Sequence, residues 1–518
     1  MATKQELGVL AGARESVLGL FRWRTRVVVI DELGNESVEW QAPEWPANPF
    51  KLLGMLTANN WLYYSVGFLG WTFDAYDFHA LSIQTTKLAL YFNVSKSDVT
   101  TAITLTLLLR SVGAIIFGIA GDYWGRKWPF VVNMICLGLL QVGSIYAPTF
   151  NTFLAVRALF GIFMGGVFGG ASSMALENVP VEARGLLSGV FQQGYSFGYV
   201  IAACANLGVG GATSSWPTMF WIGAGGSFAV GIARIFFPES RQFIEAKKNG
   251  GKGGHTGAFM KEAGVVVKQE WRRIIYAVIL MALFNFFSHT TQDSYTTFMK
   301  VGKALDNAAA SRASILMKTG ACVGGTIIGY LSQSIGRRRA IFIAALMTAV
   351  LIPAWILPNT ESGLEAGGFM LQFFVQGAWG VIPVHLQELS PPAFRASFPG
   401  ITYQLGNAIS SPSAQIVNEL AEKVFTVMGP KGRRVEAYGP VMGVATAIIA
   451  VFIAVWIAVG PEKKGSRFEQ ASAAGAGPDL GHPEPLHKEP DHLVKTDSLE
   501  KDAHSDAPAT LTRDASRH

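Results

Sequence analysis

The run Asn285-Phe286-Phe287-Ser288-His289-Thr290-Thr291-Gln292-Asp293-Ser294-Tyr295-Thr296-Thr297 concentrates polar chemistry inside an apolar stretch. Asn285, His289, Gln292 or Asp293, and Thr296 recur at i, i+4, i+7 or i+8, and i+11, so one helical face carries a polar stripe. Imidazole titrates near neutral pH, and Asp293 sits one turn from His289, which makes the pair able to pass a proton. A second group lies in Leu107-Leu108-Leu109-Arg110-Ser111-Val112. Arg110 is about eleven residues from either end of its apolar run, ~16 Å deep at about 1.5 Å per residue. A charge at that depth is costly and marks function. Its permanently charged fork fits a carboxylate in bidentate geometry, either a substrate's or that of Asp74 or Asp77 in Phe73-Asp74-Ala75-Tyr76-Asp77-Phe78. The two aspartates also read as second-choice proton sites. A further substrate cation is not evident in the apolar runs.

The elements that must position these groups follow from composition. The chain has 518 residues, of which 50% are hydrophobic and only 15% charged, with mean hydropathy +0.30. A soluble domain carries about 25% charged residues, so a disordered chain, a disulfide scaffold and an ordinary soluble enzyme are excluded. The 399 residues from Trp61 to Val459 hold about twelve spans at roughly 30–35 residues per helix and loop. Apolar runs fall at 60–82, 99–121, 129–147, 152–175, 185–207 and 217–237, then at 274–298, 313–333, 340–357, 367–387, 397–422 and 439–460. The organisation predicted is an N-terminal arm (1–58), a six-helix bundle (59–237), a Gly- and Lys-rich linker (238–273), a second six-helix bundle (274–460) and a polar tail (461–518).

The net charge of +6 sits mostly in loops, which points to a membrane rather than to nucleic acid. Arg126 and Lys127, Arg337 to Arg339, and Lys463 and Lys464 share one side with the basic arm, predicting cytoplasmic termini; Lys431, Arg433 and Arg434 fall on the other side and disagree. The polar start, with Arg14, Arg22, Arg24 and Arg26, predicts no cleavable signal peptide. Cys136, Cys204 and Cys322 are too far apart for a metal site and read as thiols within helices. His482, His487, His492 and His504 are likewise too loosely spaced. The tail lacks the apolar content to fold alone. Regulatory modification of its Lys or Ser residues is compatible with its composition, but no motif specifies it. The sequon at Asn93 lies close to the membrane.

A repeat organises the chain. Gly118, Asp122, Gly125, Arg126 and Lys127 recur 211 residues later as Gly329, Gln333, Gly336, Arg337 and Arg338; Glu177, Pro180 and Arg184 recur as Glu388, Pro391 and Arg395; Gly189 and Gln193 recur as Gly400 and Gln404. Two homologous halves explain three blocks in one register. The run Gly118-x3-Asp122-x2-Gly125-Arg126-Lys127 resembles the loop 2–3 signature of the major facilitator superfamily. Arg157-x3-Gly161-x3-Gly165 resembles its fourth-span signature, and Pro238-Glu239-Ser240-Arg241 the end of its first half. The resemblance covers roughly residues 60–460 and implies an all-α fold of twelve transmembrane helices in two pseudo-symmetric bundles. It also implies a cytoplasmic gate, for which Asp122, Arg126, Glu177, Arg184, Glu388 and Arg395 are the candidates. The second copy departs at Gln333, so only the first half supplies that carboxylate.

The span 7 run further resembles the Asn-x2-Ser/Thr-His-x-Ser/Thr-Gln-Asp-x3-Thr signature of the fungal Jen-type monocarboxylate and dicarboxylate:proton symporters. It matches at Asn285, Ser288, His289, Thr291, Gln292, Asp293 and Thr297. This resemblance implies substrate binding by Arg110, Asn285, His289, Gln292, Asp293, Gln404 and Asn407, with Phe191 and Gln192 shaping the pocket. His289 and Asp293, and after them Asp74 and Asp77, are the proton-coupling candidates. The expected protein is a plasma-membrane symporter for protons and a small monocarboxylate (lactate, pyruvate or acetate), with no cofactor and no enzyme activity. The alternatives are a dicarboxylate symporter of that family, a sugar- or sialate-type porter, and a nutrient sensor.

Overall fold

The computed structural model describes residues 13–21, 25–30, 36–210, 212–239, 244, 256–391, 394–428 and 434–464. Most of the first part of the linker, Lys431 and Arg433, and the tail beyond 464 with its histidines and candidate modification sites lie outside the described residues.

Twelve long helices follow in order. In the first half these are α1 (Ala58–Ile83), α2 (Lys96–Trp124), α3 (Lys127–Ile145), α4 (Phe150–Gly165, resuming as Val167–Glu177), α5 (Arg184–Val209) and α6 (Trp216–Ile235). The second half holds α7 (Thr256–Gln292), α8 (Asn307–Ile335), α9 (Arg337–Ile356), α10 (Glu361–Leu389), α11 (Ser397–Ser410, resuming as Ser413–Glu419) and α12 (Tyr438–Val459). Helix α7 begins well before the apolar run at 274, so helical structure reaches into the segment read as linker; there Arg273 and Glu270 pair at 3.2 Å. Nine helices among the described residues are long and apolar enough to cross a membrane. The other three are α1, α5 and α11. Helices α1 and α5 carry Asp74, Asp77, Gln192 and Gln193, and α11 is interrupted at Ser411–Pro412.

Helix starts are fixed by two devices. On one face Ser95, Thr149, Asp306 and Thr360 cap α2, α4, α8 and α10 by accepting from backbone N–H groups, with a full capping box at Ser95/Asp98. On the opposite face, which bears the described ends of the chain and is called the terminal face, Thr57 caps α1 and carboxylates cap α3 and α9. Glu239 accepts from the N–H groups of Arg126 and Lys127 at 3.2 and 3.0 Å, and Glu462 from those of Arg337 and Arg338 at 3.2 and 3.1 Å. The halves thus share a cap as well as a sequence repeat, and an anion suits a helix N-terminus.

Ahead of α1 lie a short helix (Ala13–Phe21), an antiparallel hairpin (Thr25–Ile30 with Glu36–Gln41) and a second short helix (Pro49–Gly54). Arg339 donates to the carbonyls of Leu20 and Gly19 at 3.0 and 2.8 Å, and Arg338 to that of Ser16 at 3.3 Å. The loop arginines read as orientation charges therefore also hold the arm.

Candidate functional site

Arg110 is placed by glycine. Gly161 and Gly165 on α4 lie against the backbone of α2; a Cβ on Gly161 would come within 2.6 Å of the Thr106 carbonyl oxygen, and one on Gly165 within 1.9 Å of the Arg110 carbonyl oxygen. The spacing Arg157-x3-Gly161-x3-Gly165 thus lets α2 and α4 touch and fixes the height of Arg110. The guanidinium is buried, with its Nη2 3.7 Å from the Asp74 carboxylate, in contact with the Met164 sulfur, and 5.3 Å from the Phe78 ring centre.

The two aspartates of α1 part ways. Asp74 faces Arg110, whereas Asp77 accepts from Gln141 Nε2 at 3.0 Å and Ser227 Oγ at 3.4 Å, and Gln141 in turn accepts from Arg157 at 2.7 Å. Gly223 makes room for Asp77, since a Cβ there would sit 1.9 Å from its Oδ1. Asp77 therefore belongs to a buried network among α1, α3, α4 and α6, away from Arg110.

From the second half, His289 Nδ1 and Asp293 Oδ2 lie 2.9 Å apart, and Asn407 of α11 interacts with the imidazole. The side chains of this pair are 20% and 40% exposed, against 2% and 0% for Arg110 and Asp74. Asn407 donates to Gln404 at 3.3 Å, and the Gln404 carbonyl accepts from Ser111 of α2 at 3.0 Å, joining the halves one residue from Arg110. Asn285 donates to Met281 O within its own helix. Gln292 donates to Ser288 Oγ at 2.9 Å and to Gln372 of α10 at 3.3 Å. Among the described residues both Asp74 oxygens, Arg110 Nε, Gln192 Oε1 and Gln404 Nε2 are buried without a hydrogen-bond partner. Each such group costs about 1–3 kcal/mol unless something satisfies it, which suits a binding site.

Beneath these groups, toward the terminal face, aromatic rings join the halves. Phe168 stacks on Tyr403 at 4.2 Å, Trp71 meets Tyr403 at 5.9 Å and Phe191 at 6.4 Å, and Trp379 meets Tyr403 at 5.8 Å and Phe284 at 5.3 Å. Phe191 is thus part of an aromatic floor.

Two residues absent from the sequence reading join the group. Lys318 of α8 is buried, its Nζ donates to Gln292 Oε1 and lies 5.1 Å from the Tyr199 ring centre of α5. Lys318 is thus a second buried cation beside these groups, and the sequence reading did not single it out. The rule that singled out Arg110, a charge deep in an apolar helix, applies equally to Met317-Lys318-Thr319. His79 of α1 meets Tyr195 and Tyr199 edge-on at 5.1 and 5.0 Å and has a buried, unpartnered Nε2.

The residues expected to gate lie apart from these groups, at the terminal face. Arg126 pairs with Glu177 at 2.9 Å and with Asp122 at 3.5 Å. The Asp122 carboxylate reaches the second half, accepting from the N–H groups of Ala396 and Ser397, each at 2.9 Å, and from the Ser397 hydroxyl. Arg395 lies within the field of Glu177, Arg126 and Asp122, and Arg184 donates to Val179 O at 3.2 Å. Arg337 holds Glu388 in a fork with both contacts at 3.1 Å, and donates to Gln333 at 2.7 Å.

Two six-helix halves, joined at one face by hydrogen bonds from Ala396 and Ser397 to Asp122 and enclosing polar groups at mid-depth, define a multi-pass membrane transporter rather than an enzyme. The Major Facilitator Superfamily model matches residues 61–414, and the chain belongs to that family. A carboxylic acid transporter protein homolog of Saccharomyces cerevisiae is 32% identical over 434 residues, covering 80% of this chain and 70% of the relative. A cis,cis-muconate transport protein of Acinetobacter baylyi is 20% identical, covering 70% of this chain and 89% of the relative. The solved proton:xylose symporter XylE superposes with a TM-score of 0.62 at 18% identity, covering 80% of this chain and 99% of that one, which shows the shared fold.

Proposed function

We propose that the chain is a proton-coupled symporter that imports short-chain monocarboxylates such as lactate and pyruvate across the plasma membrane, with both termini cytoplasmic. The observation that carries the reading is the presence of Arg110, a buried guanidinium loosely held by Asp74, within electrostatic reach of a partly exposed His289–Asp293 pair from the other half. The similarity to the yeast carboxylic acid transporter homolog supports the substrate class. An entering carboxylate displaces Asp74 from Arg110 and takes hydrogen bonds from the amides of Gln404 and Asn407, while His289 takes up a proton. Moving an anion inward against a negative-inside potential costs about 2.3 kcal/mol per charge per 100 mV, which one accompanying proton cancels for a monocarboxylate. The terminal-face contacts make this the state closed toward the cytoplasm. Their opening, with closure above the site, completes alternating access.

Uptake of labelled lactate by cells expressing the wild type and Arg110→Ala at equal surface levels tests the reading. Loss of more than about 95% of uptake is expected, in line with removing the charged partner of a buried anion. Normal uptake by the variant sinks the proposal. Lys318 favours a dicarboxylate as the second reading, and strong competition by succinate but not pyruvate would select it.

A further inference from the structure

The two copies of the terminal-face repeat differ at more than Gln333. Two positions that are apolar in the first copy are hydrogen-bond donors in the second: Ile119 recurs as Tyr330, and Trp128 as Arg339. Both donors engage the N-terminal arm. The Tyr330 hydroxyl donates to Ala47 O at 2.6 Å, and Arg339 donates to Leu20 O and Gly19 O at 3.0 and 2.8 Å. Gly19 and Leu20 lie in the last turn of the helix Ala13–Phe21, where carbonyls lack partners within their own helix and a cation suits the dipole. Arg338 donates to Ser16 O at 3.3 Å, Leu20 is buried, and Phe21 meets Phe342 of α9 edge-on at 5.9 Å. Trp128, the counterpart of Arg339, is by contrast more than half exposed.

The other end of the arm belongs to the first half. The helix Pro49–Gly54, capped by Asn48, packs against Val181–Ala183, the turn that leads into α5. Leu52 and Leu56 are buried, and Thr57 then caps α1. Val181–Ala183 also packs against α8, and just beyond it a Cβ on Gly185 would come within 2.7 Å of Gly329 O and 3.0 Å of the Gln333 Cβ. The arm therefore crosses the seam between the halves at the second copy of the repeat. There Gln333 turns back to Arg337, whereas at the first copy Asp122 reaches across. We propose that the arm is a strap that resists separation of the halves at this second seam, and that Tyr330 and Arg339 fasten it. Opening the terminal face requires these bonds to break or Pro49–Gly54 to leave Val181–Ala183, so the strap favours the closed state. Its consequence for transport rests on the alternating-access reading above, whereas the fastening itself does not.

Ser172 of α4 is buried and accepts from Gln387 of α10 at 3.2 Å across the same face, so Ser172→Cys in a full chain lacking Cys136, Cys204 and Cys322 reports opening by its rate of thiol labelling. Tyr330→Phe keeps the ring and is expected to quicken labelling about fivefold, and Arg339→Gln about tenfold, as for loss of one neutral bond and of charge-assisted bonds. Arg312→Gln, which breaks an exposed pair with Glu361 at the opposite end of α8, should leave the rate unchanged. The reverse coupling is read by hydrogen exchange. Gly189→Val forces the seam apart, since a Cβ there would sit 2.5 Å from Gly325 O. It should speed amide exchange within the arm about tenfold, because what opens the seam must also release the strap. Unchanged labelling in both Tyr330→Phe and Arg339→Gln, equal quickening by Arg312→Gln, or unaltered arm exchange in Gly189→Val overturns the proposal. Neither readout needs substrate: a wild type that takes up no lactate fails the transport reading alone, and labelling and exchange still decide the strap.

Discussion

The two copies of the repeated terminal-face contact are built on one plan and finished differently. In both, a glycine on one helix meets the start of a helix in the other half: Gly118 of α2 against Ser397 of α11, and its repeat Gly329 of α8 against Gly189 of α5. Built Cβ atoms would come within 2.7 and 2.6 Å of the facing backbone. In both, an arginine pairs with a glutamate, Arg126 with Glu177 and Arg337 with Glu388. The first copy then adds Asp122, which caps α11 across the gap, whereas the second has Gln333, which turns back to Arg337 within its own half. Close backbone packing is the shared closure, and the charged cap is an addition to one side. Packing can only be lost by separation, but a carboxylate cap can be exchanged for water. We read the first copy as the breakable lock and the second as the hinge-like contact.

Substitutions at the two copies separate these roles. The largest effect is expected from Gly189→Val, because even a Cβ would sit 2.5 Å from the Gly325 carbonyl oxygen and the halves must move apart. Uptake should fall by roughly a hundredfold, as overpacking a closed contact costs about 1–3 kcal/mol or more. Surface expression is the control. Asp122→Asn should act less severely and in a specific direction. It keeps one acceptor for α11 but loses charge-assisted bonds worth about 1.5–3 kcal/mol, so the terminal-face-open population should rise about 10–100-fold. In a background without Cys136, Cys204 and Cys322, labelling of a cysteine at Ser172, which accepts from Gln387 across the gate, should quicken accordingly. Unchanged labelling would show that glycine packing alone sets the equilibrium.

Much of this was legible in the sequence, for physical reasons. Apolar runs of spanning length located all twelve helices, and the 211-residue register paired the gate copies before any distance was known. The proximity of His289 and Asp293 was legible because Asp293 directly follows the helix that carries His289 and continues its turn, so that spacing fixes proximity. Contacts between helices were not. Asp74 and Asp77 sit one turn apart and looked interchangeable, but their different headings on α1 send one to Arg110 and the other to Gln141. Lys318 escaped notice because the apolar run seemed to start at 313, within snorkelling reach of the surface. The helix starts at Asn307, eleven residues before it, and that puts Lys318 far deeper.

One proton is expected to cross with each carboxylate. Purified protein in liposomes carrying an internal pH indicator, given labelled lactate under an inward proton gradient, measures both fluxes at once. Uphill lactate accumulation with one proton entering per lactate is expected. Lactate entry with no accompanying proton flux, or accumulation indifferent to the gradient, would contradict it.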